Sequence, residues 1–351
     1  MEQLTVFVTG AGALLGQGIL RCLRMSQKPL RIITGDPDHR AAGHWLGDCA
    51  YTVPMAGESN FINRIEEIIA QERVTLLFVG TDVELSILSR ERKRLGDTYG
   101  VRIIVSPLQV IEIADDKWLT AQFLKKEGFP FPRSALAHDW DAIQTLVDTV
   151  GFPLFIKPRK GARSVGAKTI ENQDTLDRFY STQNDYVFQE LLPDDQGEYT
   201  VGCLVADGQC KSVVVLRRDL RDGNTYRAYA DTSGRFEEQM AVIAERLGVE
   251  GPCNFQFRIR GEEPVIFEVN ARFSGTTPVR AIFGFNEVDA LIDYLVDGKP
   301  IPKVCLKEGA VFKTWSDIFI DQDQLESLKT HGKLPNPRSQ SFPFLCGEKL
   351  K

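Results

Sequence analysis

No two of the seven cysteines are spaced C-x-x-C, and their odd number is scattered over 351 residues. That spacing suits neither a disulfide framework nor a zinc site, so the thiols read as reduced. Basic residues are not in excess. The 42 Lys and Arg against 48 Asp and Glu leave a formal net charge of −6, which excludes a general nucleic-acid binder but allows a local phosphate pocket. No apolar run approaches the length that spans a bilayer, so no membrane partner is expected. The opening MEQLTVFVTG runs straight into a strand pattern without a basic region or cleavage site, and the expectation is a cytoplasmic protein. Histidine is scarce as well. His39, His44, His138 and His331 all fall outside the segments singled out below. Internal repeats and low-complexity tracts are absent.

What is present is ordinary for a soluble globular protein: 43% hydrophobic and 26% charged residues, in a chain long enough for two to three domains. The first hundred residues alternate strands and helices. Strand Leu4–Val8 leads into a glycine turn, TGAGALLG, and a helical run; strand Leu30–Ile33 ends at Gly35 and Asp36. Helix Phe61–Gln71, strand Val74–Val79, the turn Gly80-Thr81-Asp82, helix Val83–Gly96 and strand Val101–Val105 follow. This alternation implies a parallel, doubly wound sheet, with Gly10–Gly12, Asp36 and Asp82 at the carboxyl edge where such sheets bind ligands. The glycine turn also resembles the opening of NAD(P)-dependent Rossmann dehydrogenases, with Asp36 as the ribose acid. The spacing alone is a weak signal, and no tyrosine is followed four residues later by lysine as in short-chain reductases.

The most legible stretch is CNFQFRIRGEEPVIFEVNAR, Cys253–Arg272. Phe255, Phe257 and Ile259 alternate with Gln256, Arg258 and Arg260; Val265, Phe267 and Val269 alternate with Ile266, Glu268 and Asn270. A hairpin centred on Glu262 puts Gln256 opposite Glu268, with Asn270 one step along the same face and Arg272 just beyond. Three oxygen-bearing side chains on one face suit a hard cation that also holds phosphates. A plain amphipathic hairpin explains the alternation equally well.

Upstream, a strand ends in Lys157 and is followed by the loop Pro158–Gly166. Lys157 can supply a point charge to a polyphosphate while the Ser164 hydroxyl and loop amides donate to its oxygens. The lysine precedes the glycines, so this is not a Walker A loop. Asp115 and Asp116 suit the start of the next amphipathic helix, whereas Lys117 opposes its dipole, a hint of a nearby anion. Strand Tyr186–Leu192 bends at Pro193; Glu198–Val205 and Lys211–Leu216 form a hairpin, and Arg217, Arg218, Arg221 and Arg227 fall in a polar loop. Those arginines suit a transferring phosphoryl group or a substrate carboxylate, and a solvated charge cluster accounts for them equally well.

The order K-P-x-x-G-x-x-S-x-G, then NFQF…FEVNARFSG, resembles the ATP-grasp superfamily, and among its branches is most similar to carbamoyl-phosphate-synthetase-like proteins. The resemblance covers roughly residues 110–300. It implies a Rossmann-like domain (1–110), a small grasp lobe (111–185), a large lobe with the metal site (186–305) and a carboxyl-terminal segment (306–351). It implies ATP contacts from Lys117, Lys157, Ser164, Gly166, the hinge Gln189, Glu190, Leu191 and Leu192, and Glu198 on the ribose. Gln256, Glu268 and Asn270 would hold Mg2+ or Mn2+, with Arg272 and Lys157 as catalytic charges. Gly12, Asp36, Asp82, Arg217, Arg227 and Arg280 are the substrate candidates. The chemistry implied is ATP-dependent ligation of a small carboxylate to an amine through an acyl phosphate. Only one grasp unit is present, unlike the two of the synthetase itself, so carbamoyl phosphate production is not expected. A homodimer is the assembly expected, and a catalytically silent nucleotide scaffold is the further alternative.

Overall fold

The apolar run Leu4–Val8 forms β1, and its Val6, Phe7 and Val8 are fully buried, as a parallel strand covered on both faces requires. The computed structural model describes residues 3–161, 165–180, 185–314 and 316–342. Helix α1 (Leu14–Met25), β2 (Leu30–Asp36), a 3-10 turn at Ala42–Leu46 and β3 (Cys49–Thr52) come next. They lead to α2 (Phe61–Glu72), β4 (Leu76–Phe78), α3 (Asp82–Tyr99) and β5 (Arg102–Ile104). The parallel strands lie in the order β3-β2-β1-β4-β5, so the winding reverses between β1 and β4. The turn after β1 is pressed against its neighbours. A Cβ on Gly16 would lie 2.1 Å from the Gly10 carbonyl oxygen, and one on Gly80 would lie 2.0 Å from that of Thr9. These glycines are required by packing, whatever else the turn does.

A second compact unit comprises residues 106–274 and 302–311; residues 1–105, 275–301 and 312–351 make up the first. The second unit begins with α4 (Leu108–Asp115), α5 (Lys117–Lys126) and β6 (Ser134–Leu136). Asp116 caps α5, its carboxylate accepting from the Trp118 and Leu119 amides. Helix α6 (Trp140–Val150), β7 (Leu154–Pro158), β8 (Lys168–Ile170), α7 (Gln173–Tyr180) and β9 (Tyr186–Glu190) complete a four-stranded antiparallel sheet of order β6-β9-β7-β8. Ile143, Leu146, Leu154, Ile156, Leu176 and Phe188 form its core.

The larger sheet of this unit contains β10 (Glu198–Ala206), β11 (Gln209–Arg221), β12 (Asn224–Ala230), β13 (Gly251–Arg260) and β14 (Glu263–Asn270), with α8 (Glu237–Leu247) between β12 and β13. One face packs on α8: Tyr199 stacks on Phe257 at 4.8 Å, with Phe236 edge-on to both. The other face carries the polar residues described below. The stretch from Arg217 to Arg227, read from sequence as a polar loop, is instead the β11–β12 hairpin.

Helices α9 (Thr277–Ile282) and α10 (Glu287–Asp297) belong to the first unit. Strand β15 (Ala310–Phe312) is added beside β12, giving the order β14-β13-β10-β11-β12-β15. The tail holds β16 (Asp317–Phe319), α11 (Gln322–His331), β17 (Lys333–Pro335) and β18 (Gln340–Phe342). β17 pairs antiparallel with β3, and Leu328 and Leu334 pack on Ala50. The tail thereby covers an edge that would otherwise present unpaired backbone groups. Among the described residues, no helix is long and apolar enough to cross a membrane.

Candidate active site

The β13–β14 hairpin places Gln256 directly opposite Glu268 and Asn254 opposite Asn270. A bulge between Gln256 and Phe257 makes Phe267 the extra residue. Ile266, not Phe267, is therefore the residue buried opposite Phe257, a correction to the simple alternation. Phe267 turns its carbonyl to Lys157, whose Nζ donates to it at 3.3 Å. The Lys157 ammonium also lies 5.5 Å from the Phe267 ring centroid and 5.9 Å from that of Phe155. Burial pushes its pKa down to about 7, against the pull of Glu268 and with a further push from Lys117.

Beside Lys157 a chain of hydrogen bonds runs across the sheet. Gln256 Nε2 and Asn270 Nδ2 both donate to Glu268 Oε1, at 3.3 and 3.1 Å. Arg272 Nη2 donates to Asn270 Oδ1 at 2.8 Å. Gln256 Oε1 in turn accepts from Arg218 Nη2 at 2.6 Å. Arg218 also grips Glu198 Oε1, through Nη2 at 2.5 Å and Nε at 3.1 Å, and reaches the Thr225 hydroxyl at 3.3 Å. Glu198 Oε2 accepts from Arg258 Nη2 and Nε, at 3.1 and 3.2 Å.

Of the loop arginines, Arg218 is thus the one in this network. Arg217 and Arg227, the substrate candidates, lie on the opposite face. Arg217 stacks on Tyr229 at 4.2 Å, and each guanidinium stands 3.8 Å from Asp219.

The hinge candidates are tied to the same sheet. Glu190 Oε1 accepts from the Arg133 amide at 2.9 Å and from Arg260 Nη1 at 2.6 Å. The Leu192 carbonyl accepts from Arg258 Nη1 at 3.1 Å. Leu191 is exposed, while Gln189 is buried and donates to the Ser134 hydroxyl at 2.8 Å. Lys117 Nζ donates to the Gly161 carbonyl at 2.7 Å, which holds the lysine against the loop after β7. Gly166 closes that loop at φ +77°, where a Cβ would meet the Tyr186 hydroxyl at 2.9 Å. Ser164 lies outside the described residues.

In the first unit the substrate candidates separate. Asp36 serves its own turn, accepting from the Gly12 amide at 2.7 Å and the Asp38 amide at 2.9 Å. Asp82 is exposed at the start of α3. Arg280 is a correction. It is 1% exposed and bound to Glu287 at 2.5 and 2.9 Å and to the Thr276 hydroxyl at 2.8 Å, a buried pair that a substrate carboxylate cannot reach.

Sequence reading passed over Glu84, which accepts from the Thr9 hydroxyl at 2.6 Å and whose pKa burial pushes up to about 7. His44 is fully buried, bonded to Thr34, and burial pushes its pKa down to about 4.

The residues fit a magnesium-bound polyphosphate by their chemistry. The carboxylate of Glu268 stands between the side-chain amides of Gln256 and Asn270, whose nitrogens donate to it while their oxygens accept from Arg218 and Arg272. Turning the two amides over would present one carboxylate and two amide oxygens, a ligand set that a hard cation completes with phosphates. Among the described residues no group of three His, Cys, Asp or Glu could hold a metal without such help.

Two protein families match the chain: the RimK-like ATP-grasp domain over residues 114–247, and an ATP-grasp protein of the biosynthetic pathway with the Ter operon over residues 182–316. The carbamoyl phosphate synthase large chain of Sulfurisphaera tokodaii is 22% identical over 254 residues, 68% of this chain and 24% of that protein. The chain thus spans about a quarter of the length of such curated relatives. N5-carboxyaminoimidazole synthetase from Staphylococcus aureus, complexed with ADP, superposes with a TM-score of 0.67 at 16% identity, covering 86% of this chain and 80% of that one. The biotin carboxylase domain dimer of Hydrogenobacter thermophilus 2-oxoglutarate carboxylase, in complex with MgADP and bicarbonate, gives 0.63 at 16% identity, covering 82% and 68%. At such identities the structures establish the fold that the two sheets of the second unit adopt.

Proposed function

The chain carries an ATP-grasp domain, and on that premise we propose that it is an ATP-dependent ligase. It joins a small-molecule carboxylate to an amine and releases ADP and phosphate. The observation that carries the reading is the convergence of Gln256, Glu268 and Asn270 beside the buried Lys157. A carboxylate oxygen is a poor leaving group at neutral pH. In the proposed reaction the substrate carboxylate attacks the γ-phosphorus of ATP, and ADP leaves. The amine then attacks the acyl carbon, the phosphate departs, and the amine gives up a proton.

The chain's own contribution is positioning and charge. Lys157, held half-neutral by burial, regains its charge when a polyphosphate lies against it. Arg272 adds a second cation at Asn270. Gln256, Glu268 and Asn270 would hold magnesium, which when bound neutralises phosphate oxygens and fixes their orientation. The doubly wound sheet of the first unit is read as the Rossmann-like domain that precedes the grasp, with Gly12 and Asp82 kept as acceptor-side candidates. The biotin carboxylase dimer supports a homodimer, and the six cysteines of the described residues, all reduced thiols, support a cytoplasmic setting.

A dehydrogenase is not favoured, since Asp36 is engaged by the backbone of its own turn. Thermal-shift titration separates the readings, because a ligand bound only by the folded state raises the melting temperature. Magnesium-ADP is expected to stabilise the chain and NADH is not. Phosphate release from ATP with pooled amino acids then distinguishes a ligase from a silent scaffold.

A further inference from the structure

Three cysteines come together in the larger sheet of the second unit. Cys203 on β10 stands directly opposite Cys253 on β13. On its other side β10 pairs with β11, where Val205 stands opposite Cys210. Residues two apart in a strand share a face, so Cys203, Cys210 and Cys253 project from the same one. It is the face away from the metal-ligand candidates, because Thr200 is the β10 residue opposite Gln256.

Two of the thiols touch. The pairing slips by one residue between Leu204 and Val205, leaving Lys211 as the extra residue of β11, and such a bulge bends its strand. The Cys203 thiol donates to the Cys210 sulfur, and Cys210 Sγ lies 3.4 Å from the Ser212 carbonyl oxygen. Cys203 and Cys253 are each 1% exposed, whereas Cys210 is half-buried and is the one a small solute can reach. The hydrogen bond from Cys203 outweighs burial and holds the Cys210 thiol below its ordinary range. Cys253 is two strands from Cys210, about 10 Å away, and burial pushes its thiol far above the usual range.

We propose that Cys210 and Cys203 form a peroxide-sensitive dithiol, in which Cys210 is the site oxidised first and Cys203 the thiol that resolves it. The Cys210 sulfur attacks one peroxide oxygen and the O–O bond breaks. The other oxygen leaves as hydroxide and takes up the thiol proton to become water, and Cys210 is left as a sulfenic acid. Cys203 then attacks the Cys210 sulfur, the S–S bond forms, and the sulfenic oxygen departs with the Cys203 proton as a second water. Two thiols and one peroxide thus give one disulfide and two waters. The third thiol, Cys253, stays reduced. Nothing in this step depends on the ligase reading, since the thiols lie on the opposite face of the sheet.

The test is to treat the full chain with one molar equivalent of hydrogen peroxide at neutral pH, alkylate the remaining thiols and map the peptides by mass spectrometry. The expected product has lost two hydrogens, carries a Cys203–Cys210 linkage, and returns to the starting mass with dithiothreitol. Cys305, which is exposed, should stay alkylated at this dose. Cys203→Ala should abolish the linkage and leave Cys210 as a sulfenic acid that dimedone traps. Cys210→Ser should leave Cys203 unoxidised. Should Cys203→Ala fail to fold, the wild-type map and Cys210→Ser decide the matter. Oxidation of Cys305 with Cys210 still a thiol overturns the proposal, as does a linkage of Cys203 to Cys253. Over-oxidation of wild-type Cys210 beside an unreacted Cys203 overturns it too.

Discussion

Gln256 stands directly opposite Glu268 across the β13–β14 ladder, and its side-chain amide donates to the Glu268 carboxylate at 3.3 Å. The bulge that follows gives up one residue of strand pairing and points the Phe267 carbonyl at Lys157. A metal-ligand candidate and a buried cation are thereby fixed by the same local irregularity. Bulges often re-aim groups in this way beside sites of chemistry.

Glu268→Ala removes the only carboxylate of the candidate metal set. Turnover should fall by at least about a hundredfold, and nucleotide affinity should fall only when magnesium is present. The melting temperature should barely change, because Glu268 is only half-buried. Unchanged turnover in this variant would return Cys253–Arg272 to a plain amphipathic hairpin.

Lys157 links nucleotide binding to pH. Its folded pKa, about 7, lies below the ordinary lysine value, so between that pH and about 10.5 the unfolded chain binds the extra proton. The nucleotide-free protein should therefore gain stability as pH rises through this window. Binding of a polyphosphate runs the other way, because it favours the charged lysine. At pH 8, calorimetry in buffers of different ionisation heat should show uptake of close to one proton with ADP, by the same linkage. Lys157→Met should abolish the uptake and weaken ADP about tenfold or more. Equal uptake in wild type and variant would remove Lys157 from the phosphate site.

Glu84 makes the opposite pH prediction. Its folded pKa is raised to about 7 by burial, so its contribution to stability is present below the ordinary glutamate value and is lost as pH rises to neutral. Glu84→Gln keeps an acceptor for the Thr9 hydroxyl and cannot ionise. At pH 8 the variant should be more stable than wild type by on the order of 1–3 kcal/mol, with the gap closing by pH 4. Urea denaturation at the two pH values measures this, and a gap independent of pH would contradict it.

Arg280→Met should act on the fold. Glu287 would be left buried and unpaired, a change that costs about 3–5 kcal/mol; the pair sits at 1% and 2% side-chain exposure. Pairing the change with Glu287→Leu should recover much of the loss. A variant as stable as wild type that loses only substrate affinity would restore Arg280 as a substrate ligand.

The legible parts of the chain were those fixed by local pattern. Strand Leu4–Val8 and the helix expected over Phe61–Gln71, found over Phe61–Glu72, follow from periodicity. Gln256 opposite Glu268 follows from counting about the turn. What depended on a register shift was not legible. Counting outward from the β10–β11 turn, where Ala206 pairs with Gln209, puts Arg217 opposite Glu198. The irregularity between Leu204 and Val205 moves the pairing by one and puts Arg218 there instead, which exchanges the two faces. Pairings distant in sequence were equally hidden. β17 on β3 depends on how the chain returns to the first sheet, and no short window encodes that.

The most direct measurement of the proposed chemistry follows oxygen. Amino acids labelled with 18O in their carboxylates are supplied as a pool with magnesium-ATP, and the released phosphate is weighed by mass spectrometry. Ligation through an acyl phosphate carries one carboxylate oxygen into the phosphate, so the expected product is phosphate bearing a single 18O, formed in step with ADP. Phosphate released in step with ADP but free of 18O would show that no carboxylate of the pool was phosphorylated, and would contradict the proposed acyl-phosphate ligation of amino acids.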